Sequence, residues 1–366
     1  MTTSEATSPG ATARTDAAEP DASAAPPGRR RRVVLFTVAV GTLVLALGAG
    51  VMIGAAGLTV RSVGLELLDA VPGLQVESGL STQEQAILWQ IRMPRVVLGA
   101  LVGGMLAIAG ATYQAVFRNP LADPYLLGVS SGAGLGATVV IVAGGTIGMF
   151  GVPAAAFVGA LAGVALTYAI GSSVGGGQST TVIILAGVAV AAFAGAIQTF
   201  IQQRFTESLV EVTSWLLGRL STDGWADVVI ALPYAVVACA VIMLHRRVLD
   251  VMAVGDLEAS SLGVNPGRIR LVLVIAATLG TAAVVSVSGL IGFVGIVVPH
   301  AIRLVVGSSN RVLLPAAMLF GAAFLVLADI VARSAMAPAE MPIGVVTAFI
   351  GAPFFMVVLR RNRGSS

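Results

Sequence analysis

Apolar runs of about 18 residues or more, each long enough to cross roughly 30 Å of hydrocarbon as a helix, recur along this chain. Few folds are open to such a sequence, because in lipid every backbone N–H and C=O must find its partner within the protein. Only 11% of the residues are charged against 57% hydrophobic, too few polar groups to cover a water-facing surface. The 44 glycines suit helices that pack closely, since small side chains let backbones approach. The expected fold class is an all-α polytopic membrane protein.

Ten spans are expected, near residues 33–60, 93–117, 125–143, 147–171, 182–202, 226–244, 269–287, 289–307, 312–334 and 342–359. Ahead of them, residues 1 to about 28 are rich in Ala, Thr, Ser, Pro and acids without apolar periodicity, and read as a disordered tail. Arg29, Arg30, Arg31 and Arg32 then precede an apolar stretch far too long for a secretory signal. The expected division is a cytoplasmic tail over 1–32, a transmembrane domain over 33–360 and a short cytoplasmic C-terminal tail over 361–366. With the N-terminus inside, fifteen of the 21 arginines fall on the cytoplasmic side and six outside, the sign that the positive-inside rule requires. The arginines bracket apolar segments, so the basic balance marks topology and not a nucleic-acid partner. One cytoplasmic connection, residues 246–268, is long and polar, and helix-compatible in two pieces broken at Gly255 and Gly263. A structured loop in an otherwise compact membrane protein is a candidate for touching a cytoplasmic partner, the alternative being a solvated connector.

Several chemistries are excluded. The chain has no Lys, so no P-loop can be written and any ATP hydrolysis belongs to another chain. The single Cys239 excludes an internal disulfide and a thiolate metal cluster. Gly128-Val129-Ser130-Ser131-Gly132 fits a hydrolase elbow, and Gly132 to Ala137 fits a dinucleotide loop, but neither has the strand context those motifs need. The same glycines, with Gly99/Gly103 and Gly159/Gly163, form G-x-x-x-G faces that support helix packing. His300, in VVPHAIRL, reads as a packing residue before a proton carrier. No cofactor or metal site is expected.

Asp329 and Arg333, four residues apart, can pair on one helical face. Arg92-Met93-Pro94-Arg95 opens the second span on the external side, where its arginines either snorkel to headgroups or, with Arg333, receive carboxylates of a docking protein. Gln198, Thr199, Gln202 and Gln203, near the external end of the fifth span, are either weak contacts along a solute path or ordinary helix-end polarity. A secondary transporter or channel acting alone explains the helices and the Asp329–Arg333 pair but leaves the 246–268 loop without a purpose.

Six stretches taken together resemble the permeases of the cobalamin and iron-siderophore class of ABC importers. They are RMPRVVLGALVGGMLAIAGATYQAVFRNPLADPYLLGVSSGAG (92–134), ILAGVA (184–189), VGDLEASSLGV (254–264), GLIGFVGIVVPHAIRL (289–304), VLLPAAMLFGAAFLVLADIVAR (312–333) and PAEMPIGVVTAFIGAPFF (338–355). The resemblance implies about ten helices per subunit and a dimer with the solute path at the subunit interface. It also implies two cytoplasmic ATPase subunits and an extracytoplasmic solute-binding protein. By the same resemblance, Arg92, Arg95 and Arg333 dock that binding protein, and Gly255, Asp256, Leu262 and Gly263 lie in the loop that couples to the ATPases. Ser179, Thr180 and Thr181 match a cytoplasmic gate, and Asn119 and Leu121 a second constriction.

Overall fold

The computed structural model of the chain describes residues 28–54, 57–71, 73, 76–144, 150–173, 180–220 and 224–362. Residues 1–27 of the expected N-terminal tail, and Ser179, lie outside the described residues, whereas Arg29–Arg32 of that tail are helical and open α1. Each of the ten expected spans has its helix, in order: α1 (Arg29–Met52), α4 (Met93–Val116), α5 (Val129–Val142), α6 (Gly151–Ser173), α7 (Thr180–Arg204), α9 (Ala226–Val254), α11 (Pro266–Ser288), α12 (Val294–Val306), α13 (Asn310–Ser334) and α14 (Ile343–Asn362). Between them lie α2 (Val60–Asp69), α3 (Thr82–Ala86), α8 (Leu209–Leu216) and α10 (Asp256–Ser261), which are too short to span.

The apolar helices alternate in direction, so alternate connections gather at opposite ends. At one end Trp225 Nε1 donates to Trp89 O at 2.9 Å, and Arg219 N donates to Ser288 O at 2.8 Å. At the other, Arg31 donates to Val305 O. Helix α4 is the hub, buried along most of its length and packed against α13, α11, α12 and α9.

Glycine sets the closest approaches. A methyl group built on Gly132 or Gly136 of α5 would meet the backbone at Gly159 or Ala155 of α6, and one on Gly159 or Gly163 would meet Gly132 or Gly128. The two expected G-x-x-x-G faces therefore interlock with each other. Gly103 meets Gly321 in the same way where α4 crosses α13.

Three expectations change. The Arg92–Arg95 stretch is not a helix entrance, because α3 runs into α4 through a π-helical turn over Ile87–Arg92, making one helix of 35 residues. Pro94 explains the turn: it has no N–H and its ring crowds the preceding carbonyls, so the helix widens instead of breaking. The eighth span is a helix only from Val294, and Gly289–Phe293 are unwound. Gly289 and Phe293 both take φ 69°, which ends α11 and turns the chain into α12. The third span likewise opens as a 3-10 turn over Pro124–Leu127 before α5. At 14 and 13 residues, α5 and α12 are about 20 Å long, short of a full crossing.

Gly132→Val is expected to wedge α5 from α6 and cost about 1–3 kcal/mol, read as a lowered Tm of the detergent-purified protein. Gly41→Val, at a position with nothing within 4 Å, leaves Tm unchanged.

Candidate functional site

At the end holding residues 335–342, arginines and acids from two helices and a loop converge on the C-terminus of α1. Arg95 of α4 places Nε 3.1 Å from both Asp329 oxygens and Nη2 2.8 Å from Oδ1. Its Nη1 and Nη2 donate to Glu340 at 2.8 and 3.0 Å. Arg333 lies 3.5 Å from Asp329 in the expected i, i+4 pair, and its Nη2 donates to Gly50 O at 2.6 Å. Arg92 donates to Val51 O and Met52 O at 2.8 and 3.0 Å. Two arginines thus satisfy carbonyls at the C-terminus of α1, where the helix dipole favours a cation.

Asp329 is 3% exposed and Glu340 49%. Removing the buried carboxylate would strand two guanidinium groups, at a cost of about 3–5 kcal/mol. The Arg95 hydrogen bonds hold the Glu340 carboxyl below its usual range, against a smaller opposing effect of burial. Beside this cluster is a polar cavity of about 170 Å³ lined by Arg95, Ser214, Arg219, Asp329 and Glu340 among others. The arginines singled out in the sequence do meet, but Arg92 is 4% exposed and Glu340 covers Arg95.

The opposite end carries the 246–268 connection, most of it helical. Helix α9 runs on to Val254, its 29 residues spanning about 43 Å, well beyond a hydrocarbon core. Gly255 breaks it, α10 follows, and Gly263 takes φ +80° before Asn265 caps α11, its side chain accepting from Arg268 N at 3.0 Å. Asp250, on the α9 extension, accepts from Asn310 N at 2.5 Å and Ser309 Oγ at 3.1 Å, capping α13. Asp256 of α10 bridges Arg118 and Arg270. Burial raises its pKa, but the hydrogen bonds and charges of Arg270 and Arg118 outweigh that and hold it below its ordinary value. The bridge therefore persists at neutral pH and is lost as pH falls through that lowered range.

Arg118 opens the strap between α4 and α5. It adopts φ 49°, uncommon for a residue with a side chain, and its Nε donates to Met252 O at 3.1 Å. Asn119 and Leu121 follow: Leu121 N donates to Asn119 Oδ1 at 2.9 Å, and Leu121 is exposed at 42%. The strap then turns inward. The Leu126 carbonyl faces Gly187, about 10 Å along α7 from its first residue. There the Tyr125 hydroxyl donates to Ile291 O and accepts from Ile291 N, both at 3.1 Å. Gln114 Nε2 donates to Gly295 O at 3.0 Å, and Gln114 Oε1 accepts from Arg303 Nη2 at 3.0 Å. The hydroxyl thus satisfies both backbone groups of Ile291 in the unwound segment, and the amide satisfies the Gly295 carbonyl, which lacks its helical donor because Pro299 has no N–H.

Next to that segment an apolar groove of about 600 Å³ runs along α14, lined by Leu217, Phe293, Phe349 and Met356 among others. Gln198, Thr199, Gln202 and Gln203 are on α7 and do not line it; Gln198 lies against Gly134 and Thr199 bonds back to Gly195 O at 2.9 Å. Thr180 begins α7 and Thr181 is exposed. His300 sits edge-on to Phe354 with ring centroids 6.0 Å apart, and Cys239 packs against Met105; both are packing residues. Sequence reasoning missed Arg118, Tyr125, Asp250 and Glu340. Their partners are distant in the chain, and no local pattern marks them.

Comparison with known proteins agrees with this architecture. The chain is 43% identical over 333 residues to the cobalamin import system permease protein of Halobacterium salinarum, covering 90% of this chain and 89% of that one. It is 36% identical to a Fe(3+)-citrate import system permease protein of Bacillus subtilis, covering 91% and 96%. Against the hemin transport system permease protein of Yersinia pestis the figures are 37%, 75% and 84%. An inward-facing structure of a metal-chelate type ABC transporter superposes with a TM-score of 0.77 at 28% identity, over 90% of this chain and 99% of that one. The sequence profile of the FecCD transport family matches residues 42–361, and the chain belongs to that family.

Proposed function

We propose that the chain is the permease subunit of an ATP-binding-cassette importer that carries a metal chelate across a bacterial cytoplasmic membrane. The cargo is a ferric siderophore or a related haem or cobalamin complex, and both termini are cytoplasmic. The observation that carries the reading is the apolar tip around α10. Val254, Leu257 and Leu262 are 74%, 84% and 72% exposed at the end where arginines concentrate. Large apolar side chains standing out into water mark a protein contact. With no P-loop lysine in the chain, an ATPase subunit is the partner that fits.

The mechanism is a rigid-body switch. ATP binding draws two ATPase subunits together and moves α10. The Asp256–Arg118 clasp passes that motion to the strap bearing Asn119 and Leu121, which with Ser179, Thr180 and Thr181 closes the cytoplasmic mouth. The open groove along α14 faces a second permease subunit, so that two grooves enclose a path. Its apolar wall suits a bulky chelate, which must bind weakly enough to leave. Gln198, Thr199, Gln202 and Gln203 of α7, off the groove wall, offer weak polar contacts near the external end of the path. Arg95, with Arg92 and Arg333 behind it, takes acids of a solute-binding protein on the external side.

Leu257→Glu combined with Leu262→Glu is expected to abolish co-purification of the ATPase while the permease keeps its Tm; undiminished co-purification contradicts the assignment of α10. Arg118→Gln is expected to lower uptake about tenfold, the scale of a typical coupling energy, with ATPase association retained. Uptake and hydrolysis both at wild-type levels in reconstituted importer would make the clasp a mere tether.

A further inference from the structure

The external cluster presents a difficulty for docking that the structure itself resolves. Arg92 and Arg333 are turned toward the carbonyls ending α1, and four of the five N–H donors of Arg95 are taken by Asp329 and Glu340. The two acids are not equivalent. Asp329 is buried between two arginines and cannot leave. Glu340 is half exposed, sits on the loop between α13 and α14, and engages the two outer nitrogens of Arg95 end-on. It also forms part of the wall of the 170 Å³ cavity whose rim holds Arg219. The Arg219 guanidinium makes no hydrogen bond or ion pair among the described residues.

We infer that Glu340 occupies the seat that an acidic side chain of the extracytoplasmic partner takes, so that docking exchanges one carboxylate for another on Arg95. This rests on the proposed reading that this end receives a solute-binding protein. The incoming acid lies between Arg95 on the cavity floor and Arg219 at its rim, a two-cation seat that Glu340 fills only on the Arg95 side. Exchange costs little, because a half-exposed ion pair is replaced by one of the same chemistry. It has a consequence for the pore. The released loop is joined to α13 by Met341 N on Ala332 O at 2.9 Å, and it leads into α14 through Ile343 N on Gly218 O at 3.3 Å and Gly344 N on Leu217 O at 3.0 Å. Leu217 and Gly344 also line the apolar groove. Occupancy of the seat is thereby communicated to the wall of the path.

The test uses assembled importer in nanodiscs, with the purified solute-binding protein of the same importer as the probe. Glu340→Gln removes the internal competitor and is expected to tighten binding about threefold to fivefold at low salt. A nitroxide at Ala339→Cys should gain mobility when the binding protein is added, and should already be mobile in the Glu340→Gln protein. Arg219→Glu, at an exposed position, is expected to weaken binding. Unchanged or weaker binding by Glu340→Gln overturns the exchange, since a merely structural Glu340 predicts loss and not gain. If Arg95→Gln and Arg219→Glu both leave affinity unchanged, the docking reading itself fails, and the exchange with it. If they weaken binding while Glu340→Gln does not tighten it, only the exchange fails.

Discussion

Two stretches outside the α-helices, the inner part of the 117–128 strap around Tyr125 and the lead into α12 over 289–293, meet inside the bundle. In a hydrocarbon surround each of their N–H and C=O groups must be paired within protein, and that requirement dictates much of what is built around them. The Tyr125 hydroxyl answers both backbone groups of Ile291, and just beyond, the Gln114 amide answers Gly295 O, which Pro299 leaves without a helical donor. The short helices α5 and α12 follow from the same constraint, because the chain uses part of its crossing on the unwound segments. A bundle of full-length helices would need none of these partners, and would leave no joint through which motion at one end reaches the interior.

The strap is held at both of its ends. Arg118 grips the end of α9 and α10, while Tyr125 grips the segment bordering the groove along α14. Between them the chain is braced by its own turns, with Asn119 accepting from Leu121 N and Asp123 from Tyr125 N. A braced connector between the apolar tip of α10 and a groove wall is built to transmit displacement, as the proposed importer requires. The opposite end is arranged differently: Arg95, Asp329, Arg333 and Glu340 pair with one another, and of the two acids Glu340 is the half-exposed one.

The fold was legible in the sequence to the extent that it follows from local hydrophobicity. All ten apolar runs became helices in order, and the breaks at Gly255 and Gly263 fell where glycine interrupts a polar helix-compatible stretch. The interlocked glycine faces of α5 and α6 were visible as spacing, though which face met which was not. What failed were readings in which an apolar run was equated with a helix. Residues 289–293 are apolar yet unwound, because Tyr125, 166 residues away, supplies the hydrogen bonds that a helix would otherwise supply. Pro94 marked a boundary by rule, but α3 and a π turn carried the helix past it. The arginines of the Arg95–Asp329 cluster were legible as charges at helix ends. Their state was not, since Arg95 meets its acids across 234 and 245 residues.

In the proposed importer, α10 and the strap move as one body when an ATPase partner closes. Spin labels at Ser260 of α10 and Leu121 of the strap, in assembled importer cycled between nucleotide-free and ATP-bound states, measure this directly by double electron–electron resonance. The intramolecular Ser260–Leu121 distance should stay fixed while the distance between Leu121 and its counterpart in the second permease subunit changes. A Ser260–Leu121 distance that shifts with nucleotide, while the straps stay at a constant separation, would contradict it.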